Sequence, residues 1–288
     1  MTVKRQEPVL NIVRSKDILS LFLRLAVKLC ALLTGALFLF LVAYILVKGV
    51  PHLSFELFSP TYTSENVSLT PALVNTLTMT LLSLGLAVPL GVGAAIYLAE
   101  YAKKGNRLVK VVRVTAETLS GIPSIVYGLF GMLFFVTALR WSYSLLAGAC
   151  TLAIMILPLI MRTTEEALLA VPESYREGSF GLGAGRLRTV FRIVLPAAMP
   201  GVLSGVILAV GRIVGETAAL LYTAGTVAAV PESLLSSGRT LSVHMYALSN
   251  EGLYVGQAYA TAVVLLLLTA GINALSSFAA KKLTAKER

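Results

Sequence analysis

The segment from Arg162 to Pro200 reads RTTEEALLAVPESYREGSFGLGAGRLRTVFRIVLPAAMP and lies between two long apolar runs. Its centre has a fixed spacing: Glu177-Gly178-Ser179, three residues, Gly183, nine residues, then Ile193-Val194-Leu195-Pro196. This pattern places an acidic residue, a glycine and an apolar stretch that ends in proline at set offsets. Because it contains no catalytic side chains, it indicates a docking element. We therefore expect another protein to grip this segment.

The composition indicates a polytopic membrane protein. Of the 288 residues 57% are hydrophobic and 13% are charged, and the mean hydropathy is +0.83. Soluble domains carry about a quarter charged residues. The net charge of +10 does not indicate a nucleic-acid-binding protein, because the lysines and arginines are scattered between apolar runs. Cys30 and Cys150 lie inside such runs, where a thiol behaves as a small hydrophobe, so neither a disulfide nor a metal site is expected.

Six apolar runs are long enough to cross a bilayer, which takes about 20 helical residues. They cover residues 29–47, 71–99, 118–139, 141–161, about 200–224 and 252–280. A bare backbone has no hydrogen-bond partners in hydrocarbon, so these runs are predicted to be helices. Pro89 and Pro158 should kink two of them. The first run starts too late for the apolar core of a cleaved signal peptide, so it is interpreted as a retained span.

The distribution of lysine and arginine predicts the orientation. Of 24 such residues, 20 lie in the N-terminal tail, the 100–117 loop, the 162–196 loop and the C-terminal tail. The positive-inside rule therefore places both termini and the 162–196 loop in the cytoplasm. The two longer external loops, about 48–70 and 226–251, hold His52 and His244, which are interpreted as polar loop residues and not as metal ligands.

These boundaries divide the chain into four parts. Residues 1–28 form a basic cytoplasmic tail, in which 18–25 can be a short interfacial helix, and residues 29–70 form the first span and an external loop. Residues 71–280 form the transmembrane core with the loop 162–200, and residues 281–288 form a second cytoplasmic tail. Within the core, the basic 100–117 loop, including Lys104, is predicted to be a helix lying on the inner leaflet.

The docking segment itself is predicted to be two helices around a hinge. Pro172 and Glu173 suit the first turn of a short helix, and Val171, Tyr175 and Leu182 should share one of its faces. Gly183 can adopt the left-handed conformation that ends a helix. A second helix follows, with an apolar stripe of Leu187, Val190, Phe191 and Val194, and Pro196 and Pro200 should limit it.

The spacing resembles the Glu-Ala-Ala loop of permease subunits of binding-protein-dependent ABC importers, with Gly178 and Ser179 in place of the two alanines. The resemblance implies a coupling helix that docks on a cytoplasmic ATPase subunit. The coupling residues it implies are Glu173, Tyr175, Glu177, Leu182 and Gly183. The docking contact is expected to differ from the family's at Gly178-Ser179.

Other stretches resemble the permeases of phosphate importers of the PstA type, over about residues 70–280. They are 75–77, 87–101, 121–128 and 211–218; in that family a proline often stands at the position of Ala219. The resemblance implies a type I ABC importer permease fold in a prokaryotic inner membrane. It also implies as partners a homologous, PstC-like second permease, two copies of a PstB-like ATPase subunit and an extracytoplasmic, PstS-like phosphate-binding protein.

Arg212 and Glu216 are candidates for contact with the transported anion. They stand four residues apart in the fifth run and should share a helix face. Charges in a membrane span are costly, and a guanidinium matches the oxygens of an oxyanion. The likeness implies that these residues and Thr217 line the substrate path, Arg212 attracting the anion and Glu216 holding Arg212 in place. A structural ion pair that locks helices together is the alternative.

Other residues of the spans have weaker or structural interpretations. Ser124 and Thr223 are weaker candidates for hydroxyl contacts with the anion, and Gly201, Gly205, Gly211 and Gly215 have the spacing of close helix packing. No phosphate-binding loop with lysine occurs, so the chain is predicted to be non-catalytic, without cofactor, and driven by a partner's ATP hydrolysis. The alternatives are a permease for sulfate or molybdate, and a stand-alone channel or polytopic membrane enzyme, which leaves the 177–196 spacing unexplained.

Overall fold

The structure, a computed structural model, describes residues 8–103 and 105–285. Within those ranges every regular element is a helix, as predicted. The chain divides into two compact units, Met1–Lys48 and Gly49–Arg288. Lys104 and the ends of both predicted tails, residues 1–7 and 286–288, lie outside the described residues.

The first unit is a single helix, α1 (Pro8–Gly49). It runs without a break through the predicted span 29–47, so residues 8–28 of the predicted tail are also helical. After Pro8 the sequence of α1 contains no further proline, and straight-chain leucines dominate it, which favours a long helix. Its side chains from Leu19 onward are mostly exposed apolar groups, as a lipid-facing helix requires.

The described part of the second unit contains ten further α-helices, preceded by two short 3-10 helices, Val50–His52 and Phe55–Phe58. The α-helices are α2 (Thr70–Ile96), α3 (Arg107–Ser120), α4 (Ser124–Gly131), α5 (Leu145–Leu169), α6 (Glu173–Gly181), α7 (Arg186–Thr189), α8 (Leu195–Gly215), α9 (Ala218–Leu221), α10 (Leu241–Glu251) and α11 (Val255–Ala285). Wider π-helical turns extend three of them: Tyr97–Tyr101 after α2, Met132–Ala138 after α4, and Val190–Val194 between α7 and α8.

The core forms where α2, α5 and α8 pack together. Gly91 of α2 faces Ile160 of α5, and Met79 faces Gly148, so these two helices run parallel. Gly205 of α8 lies against Thr163, and Gly201 lies against Ala167, so α8 runs antiparallel to α5. This confirms the packing role predicted for Gly201 and Gly205, because a side chain at either position would collide with α5.

Five helices are long and apolar enough to cross a membrane, and a bent pair brings the number to six among the described residues. The bent pair is α3 with the extended α4, which meet at an angle of 103° at Gly121–Pro123. The predicted third span, 118–139, is therefore wrong at its start: residues 107–120 belong to α3 and the span begins at Ser124. Proline disfavours the helical conformation in the residue before it, which places the break at this point.

Two other boundaries differ from the sequence prediction. Pro196 and Pro200 do not end the helix that precedes them, because a continuous helical segment runs from Arg186 to Gly215. Both prolines lie at or near the start of α8, where the π turn has already relaxed the hydrogen-bond ladder. The chain then leaves the helix at Glu216, well before the predicted end of the span at residue 224.

The predicted external loop 226–251 contains the helix α10, bounded by Thr240 and by Gly252 at φ +72°. His244 lies on α10 and is completely buried, so its interpretation as a polar loop residue is wrong. The alternating polar residues of α10 do not form the apolar periodicity by which a helix is recognised. Gly252, which ends the helix, could have indicated it from the sequence.

The two ends of the second unit differ in composition. We call residues 97–113 and 162–194 the basic end, since most lysines and arginines of the second unit lie there. These residues directly follow α2 and include the C-terminal end of α5. Residues 50–69 and 222–254 form the far end. The predicted docking segment lies at the basic end.

Candidate coupling surface and substrate site

Helix α6 presents the predicted coupling residues at the surface. Pro172 precedes its first turn and Glu173 stands in that turn, as predicted. Gly183 has φ +81°, the left-handed conformation expected of it. Glu173, Tyr175, Glu177, Leu182 and Gly183 are all exposed, and Leu182 reaches 90% exposure. The result is a short, ordered helix with apolar groups facing outward at a charged end of the molecule.

The predicted apolar face of α6 is wrong in one member. Val171 precedes the helix and is buried with α5 and the Val190–Val194 turn, whereas Tyr175 and Leu182 point outward. The predicted stripe of the next helix also divides, because Val190 and Val194 are buried while Leu187 and Phe191 are exposed. In the first case Val171 lies outside the helix, and in the second the π turn Val190–Val194 shifts the helical register, which simple periodicity does not include.

A buried ion pair that the sequence prediction missed fixes α6 to the core. Arg176 is 8% exposed and Glu100, at the end of α2, is 7% exposed. Arg176 Nη2 lies 2.6 Å from Glu100 Oε1, and Arg176 Nε also donates to this carboxylate. We call this pair, with its backbone contacts, the Arg176 clasp.

The clasp joins three elements. Arg176 Nη1 donates to the Val171 carbonyl and Nη2 to the Leu168 carbonyl, both at 2.9 Å, and these groups belong to the end of α5 and the turn after it. Nη1 also reaches Glu173 Oε2 at 3.3 Å. The hydrogen bond to Glu100 raises the pKa of Arg176 above its usual value. A planar guanidinium with several fixed donors is well suited to hold α2, α5 and α6 in one arrangement.

The Gly178-Ser179 departure from the Glu-Ala-Ala pattern has two separate consequences. Ser179 is buried, and its hydroxyl lies 2.8 Å from the Thr189 hydroxyl, which links α6 to α7. Gly178 faces open space, where an added Cβ would meet nothing. The serine therefore stabilises the fold of the segment, and only the glycine changes its outer surface.

The predicted pairing of Arg212 with Glu216 is not present. Helix α8 ends at Gly215, and Glu216 is in extended conformation, so the two residues do not share a helix face. Ion pairs within 4.0 Å are formed by Arg113, Arg162 and Arg176, and neither Arg212 nor Glu216 takes part in one among the described residues. Arg212 is half-buried near the end of α8, within electrostatic range of Tyr127 on α4.

Glu216 instead organises the turn after α8. Its Oε1 accepts a hydrogen bond from the Ala219 N–H at 3.1 Å, and its carbonyl accepts one from Ser242 Oγ at 2.6 Å. A carboxylate that accepts from the first turn of a helix acts as a cap. A proline at position 219 would lack this N–H, so the alanine here holds Glu216 away from Arg212.

The space beside Arg212 is open. An added Cβ at Gly211 or Gly215 would meet no atom within 4 Å, so the packing role predicted for these two glycines is wrong within this subunit. Thr217 is half-buried between Glu216 and α9, whereas the Thr223 hydroxyl donates to its own helix at the Ala219 carbonyl. Arg212 thus lies in the last turn of α8, and Glu216 and Thr217 directly follow that helix. No carboxylate of the described residues pairs with Arg212.

Comparisons with known proteins agree with this architecture. Residues 87–286 match the family described as "Binding-protein-dependent transport system inner membrane component". The chain is 35% identical over 241 residues to the probable ABC transporter permease protein YqgI of Bacillus subtilis, covering 78% of this chain and 81% of that protein. It is 42% identical over 154 residues to phosphate transport system permease protein PstA 1 of Mycobacterium tuberculosis, covering 54% of this chain and 50% of that protein.

A solved structure resembles the fold at low sequence identity. A bacterial alginate ABC transporter, in complex with an alginate pentasaccharide-bound periplasmic protein, superposes with a TM-score of 0.69 at 18% identity. The match covers 93% of this chain and 97% of that one. The predicted all-α fold of an ABC importer permease is thereby confirmed.

Proposed function

Because the chain belongs to the binding-protein-dependent transport system inner membrane component family, we propose that it is a permease subunit of an ATP-driven importer of inorganic phosphate. It forms half of the translocation pathway, and a homologous second permease forms the other half. Two copies of a cytoplasmic ATPase subunit supply the energy, and an extracytoplasmic binding protein delivers phosphate. The basic end faces the cytoplasm of a prokaryotic cell, in keeping with the positive-inside rule.

The observation that carries the coupling role is the exposed surface of α6. Tyr175 and Leu182 are apolar groups left uncovered beside Glu177, on a helix that the Arg176 clasp holds rigidly. An amphipathic helix with outward anchors is the usual form of a helix that inserts into a partner's groove. The ATPase subunit is the partner that fits, with a basic residue opposite Glu177.

Movement of α6 has a defined route to the substrate site. The clasp connects α6 to the ends of α2 and α5, and α5 packs against α8 through Gly201 and Gly205. Helix α8 ends three residues after Arg212. Closure of the ATPase dimer thus shifts the helices that border Arg212, and the site opens alternately to the two sides of the membrane.

Phosphate as the substrate rests on the PstA-type relatives together with the chemistry of Arg212. A guanidinium without a carboxylate partner is available to a tetrahedral oxyanion, and its charge raises the local anion concentration. Glu216 faces the next turn and keeps the site from carrying an excess of positive charge. Sulfate and molybdate offer the same oxygen geometry, and a permease for one of these is the second candidate.

Transport in proteoliposomes that contain the complete complex tests the substrate. Uptake of labelled phosphate should persist with excess sulfate or molybdate and stop with excess unlabelled phosphate. Arg212→Gln should reduce uptake strongly while the complex still assembles. Arg140→Gln, the same change at an exposed arginine between α4 and α5, should leave uptake near the wild-type rate. Sulfate-sensitive uptake would transfer the function to the second candidate.

Copurification tests the coupling role. Leu182→Ala should reduce the amount of ATPase subunit that copurifies with the tagged permease. Leu108→Ala provides the matched control, since Leu108 is also a highly exposed leucine of the basic end but lies on α3. If no soluble ATPase accompanies even the wild-type chain, a stand-alone channel or membrane enzyme becomes the better interpretation.

A further inference from the structure

The far end contains a cavity of about 240 Å³ that no part of the coupling mechanism uses. Its walls include Thr226 of the loop after α9, and Tyr246, Asn250 and Glu251 of α10. Arg239, two residues before α10, also lines it. Leu221 and Ala247 are its apolar members, and the other lining residues carry polar groups.

Arg239 is buried without a partner for its charge. The residue is 5% exposed, and its Nε and Nη2 atoms have no hydrogen-bond partner among the described residues. No carboxylate of the described chain lies within 4.0 Å of the guanidinium, and Glu251 across the cavity is not paired with it. Because a buried charge is unfavourable unless it is paired, this arrangement calls for an anion from outside the subunit.

The surroundings hold the guanidinium in one orientation. Its centre lies 4.5 Å from the centroid of the Tyr62 ring, so one flat face is covered. The backbone of Arg239 is fixed on both sides: its N–H donates to the Val227 carbonyl, and its carbonyl accepts from Asn75 Nδ2. The stacking fixes the plane of the guanidinium, and the part of Arg239 that lines the cavity belongs to a group whose N–H donors match oxyanion oxygens.

The cavity is next to the candidate substrate turn. Leu221 in its wall ends the four-residue helix α9, which begins directly after Glu216 and Thr217. Ser242, three residues after Arg239, donates to the Glu216 carbonyl. An anion at Arg239 would therefore lie about one helical turn, on the order of 6 Å along α9, from the turn that adjoins Arg212.

We propose that this cavity is an outer anion site, in which Arg239 receives inorganic phosphate before the ion reaches Arg212. The proposal rests on the phosphate-import function above. It assigns to the far end a second cationic group in series with the first. Two weak sites in series permit an ion to enter and leave more readily than one tight site does.

Thiol labelling of the assembled complex tests the proposal. Thr226→Cys places a thiol on the exposed wall of the cavity, in a chain whose free cysteines Cys30 and Cys150 are replaced by serine. The probe is an anionic methanethiosulfonate, with a neutral one as reference, and the same complex without Thr226→Cys gives the background. At about ten times its dissociation constant, phosphate should slow the anionic labelling about tenfold.

Arg239→Gln should remove the protection by phosphate and slow the anionic reagent relative to the neutral one. Arg239→Lys should keep part of both effects, and Arg140→Gln should keep all of both. Retention of the bound ATPase subunit shows that each variant complex is folded. Protection that persists in Arg239→Gln, or that is absent with Arg239 in place, would overturn the proposal.

The oxyanion used as protectant separates this proposal from the proposed function. If sulfate or molybdate protects Thr226→Cys through Arg239 and phosphate does not, the outer anion site stands and phosphate is wrong as the substrate. If phosphate protects Thr226→Cys equally well with and without Arg239→Gln, the outer site is wrong while phosphate import stands.

Discussion

The two ends of the molecule each bury an arginine, and the two arginines are treated in opposite ways. Arg176 at the basic end meets a buried carboxylate and two backbone carbonyls. Arg239 at the far end meets the face of Tyr62 and has no acceptor for Nε and Nη2 in the described chain. Burial alone therefore does not define the role of a charged side chain, whereas its hydrogen-bond partners do.

The difference also corresponds to the two roles proposed for these arginines. A guanidinium whose donors are used internally resists displacement and transmits force between helices. A guanidinium without partners leaves the subunit incomplete until an anion arrives. The coupling role and the anion role proposed above thus rest on the same physical distinction, and each of the following variants tests one side of it.

The largest effect is expected at the Arg176 clasp. Arg176→Ala leaves Glu100 buried without a partner, which should destabilise the subunit by about 3–5 kcal/mol. The thermal unfolding midpoint of the purified complex should fall, and phosphate uptake should fall with it. Arg188→Ala, at an exposed arginine nearby, serves as the control, and an equal midpoint for both variants would contradict a structural clasp.

His244 extends the comparison to pH, because it too is buried at the far end. Burial, and next the charge of Arg239, lower the pKa of His244 to about 3. An exposed histidine has a pKa of about 6.5, so only the unfolded chain takes up this proton as the pH falls from there toward 3. The free energy of unfolding is not reduced by His244 above about pH 6.5. Between there and about pH 4.5 it should decrease by about 3 kcal/mol. Unfolding midpoints measured across this range should show the decrease, and His244→Leu should remove this contribution; an unchanged slope would contradict it.

Arg239→Met isolates the unpaired arginine. Losing the contact with Tyr62 costs about 0.5–2 kcal/mol, but the buried charge disappears as well. The net change in stability is expected within about 1 kcal/mol of zero. Arg176→Met is the matched change at the paired arginine and should be far more destabilising. Equal losses of stability at the two positions would mean that the paired and the unpaired arginine do not differ in their contribution to the fold.

The smallest effects are expected within α6, at the two neighbouring positions that depart from the Glu-Ala-Ala pattern. Ser179→Ala removes a buried hydrogen bond and should cost about 1 kcal/mol. Gly178→Ala meets no neighbour and should stabilise the helix by about 0.5–1 kcal/mol. Chemical or thermal unfolding of the complex should give these opposite signs, and the double variant should lie near the wild type. Equal signs would mean that the two positions face the same environment.

The sequence predicted the elements that depend on local patterns. Apolar length located the spans, and the offsets around Gly183 located helix α6, because lipid exposure and helix ends follow from neighbouring residues. The exposed coupling residues were therefore identified correctly as surface groups. Their contact with an ATPase subunit remains a prediction.

One missed feature depends on residues far apart in the chain. Arg176 and Glu100 are separated by 76 positions, so nothing next to Arg176 indicates that it is buried. The bend at Gly121–Pro123 and the break at Glu216 also lie within runs that read as continuous spans. Gly-x-Pro was a visible signal for the bend. The cap that Glu216 forms on Ala219 follows a break in the helix at Glu216, and helical periodicity does not indicate such a break.

The separation of Glu100 and Arg176 also determines the order in which the subunit matures. During synthesis Glu100 emerges 76 residues before Arg176. Until Arg176 is in place, the Glu100 carboxylate lacks its partner and remains hydrated. The clasp closes only after α5 has been inserted beside α2. A newly made chain therefore presents a correctly seated α6 to its partner only once its membrane core is assembled, and incomplete subunits offer no docking site.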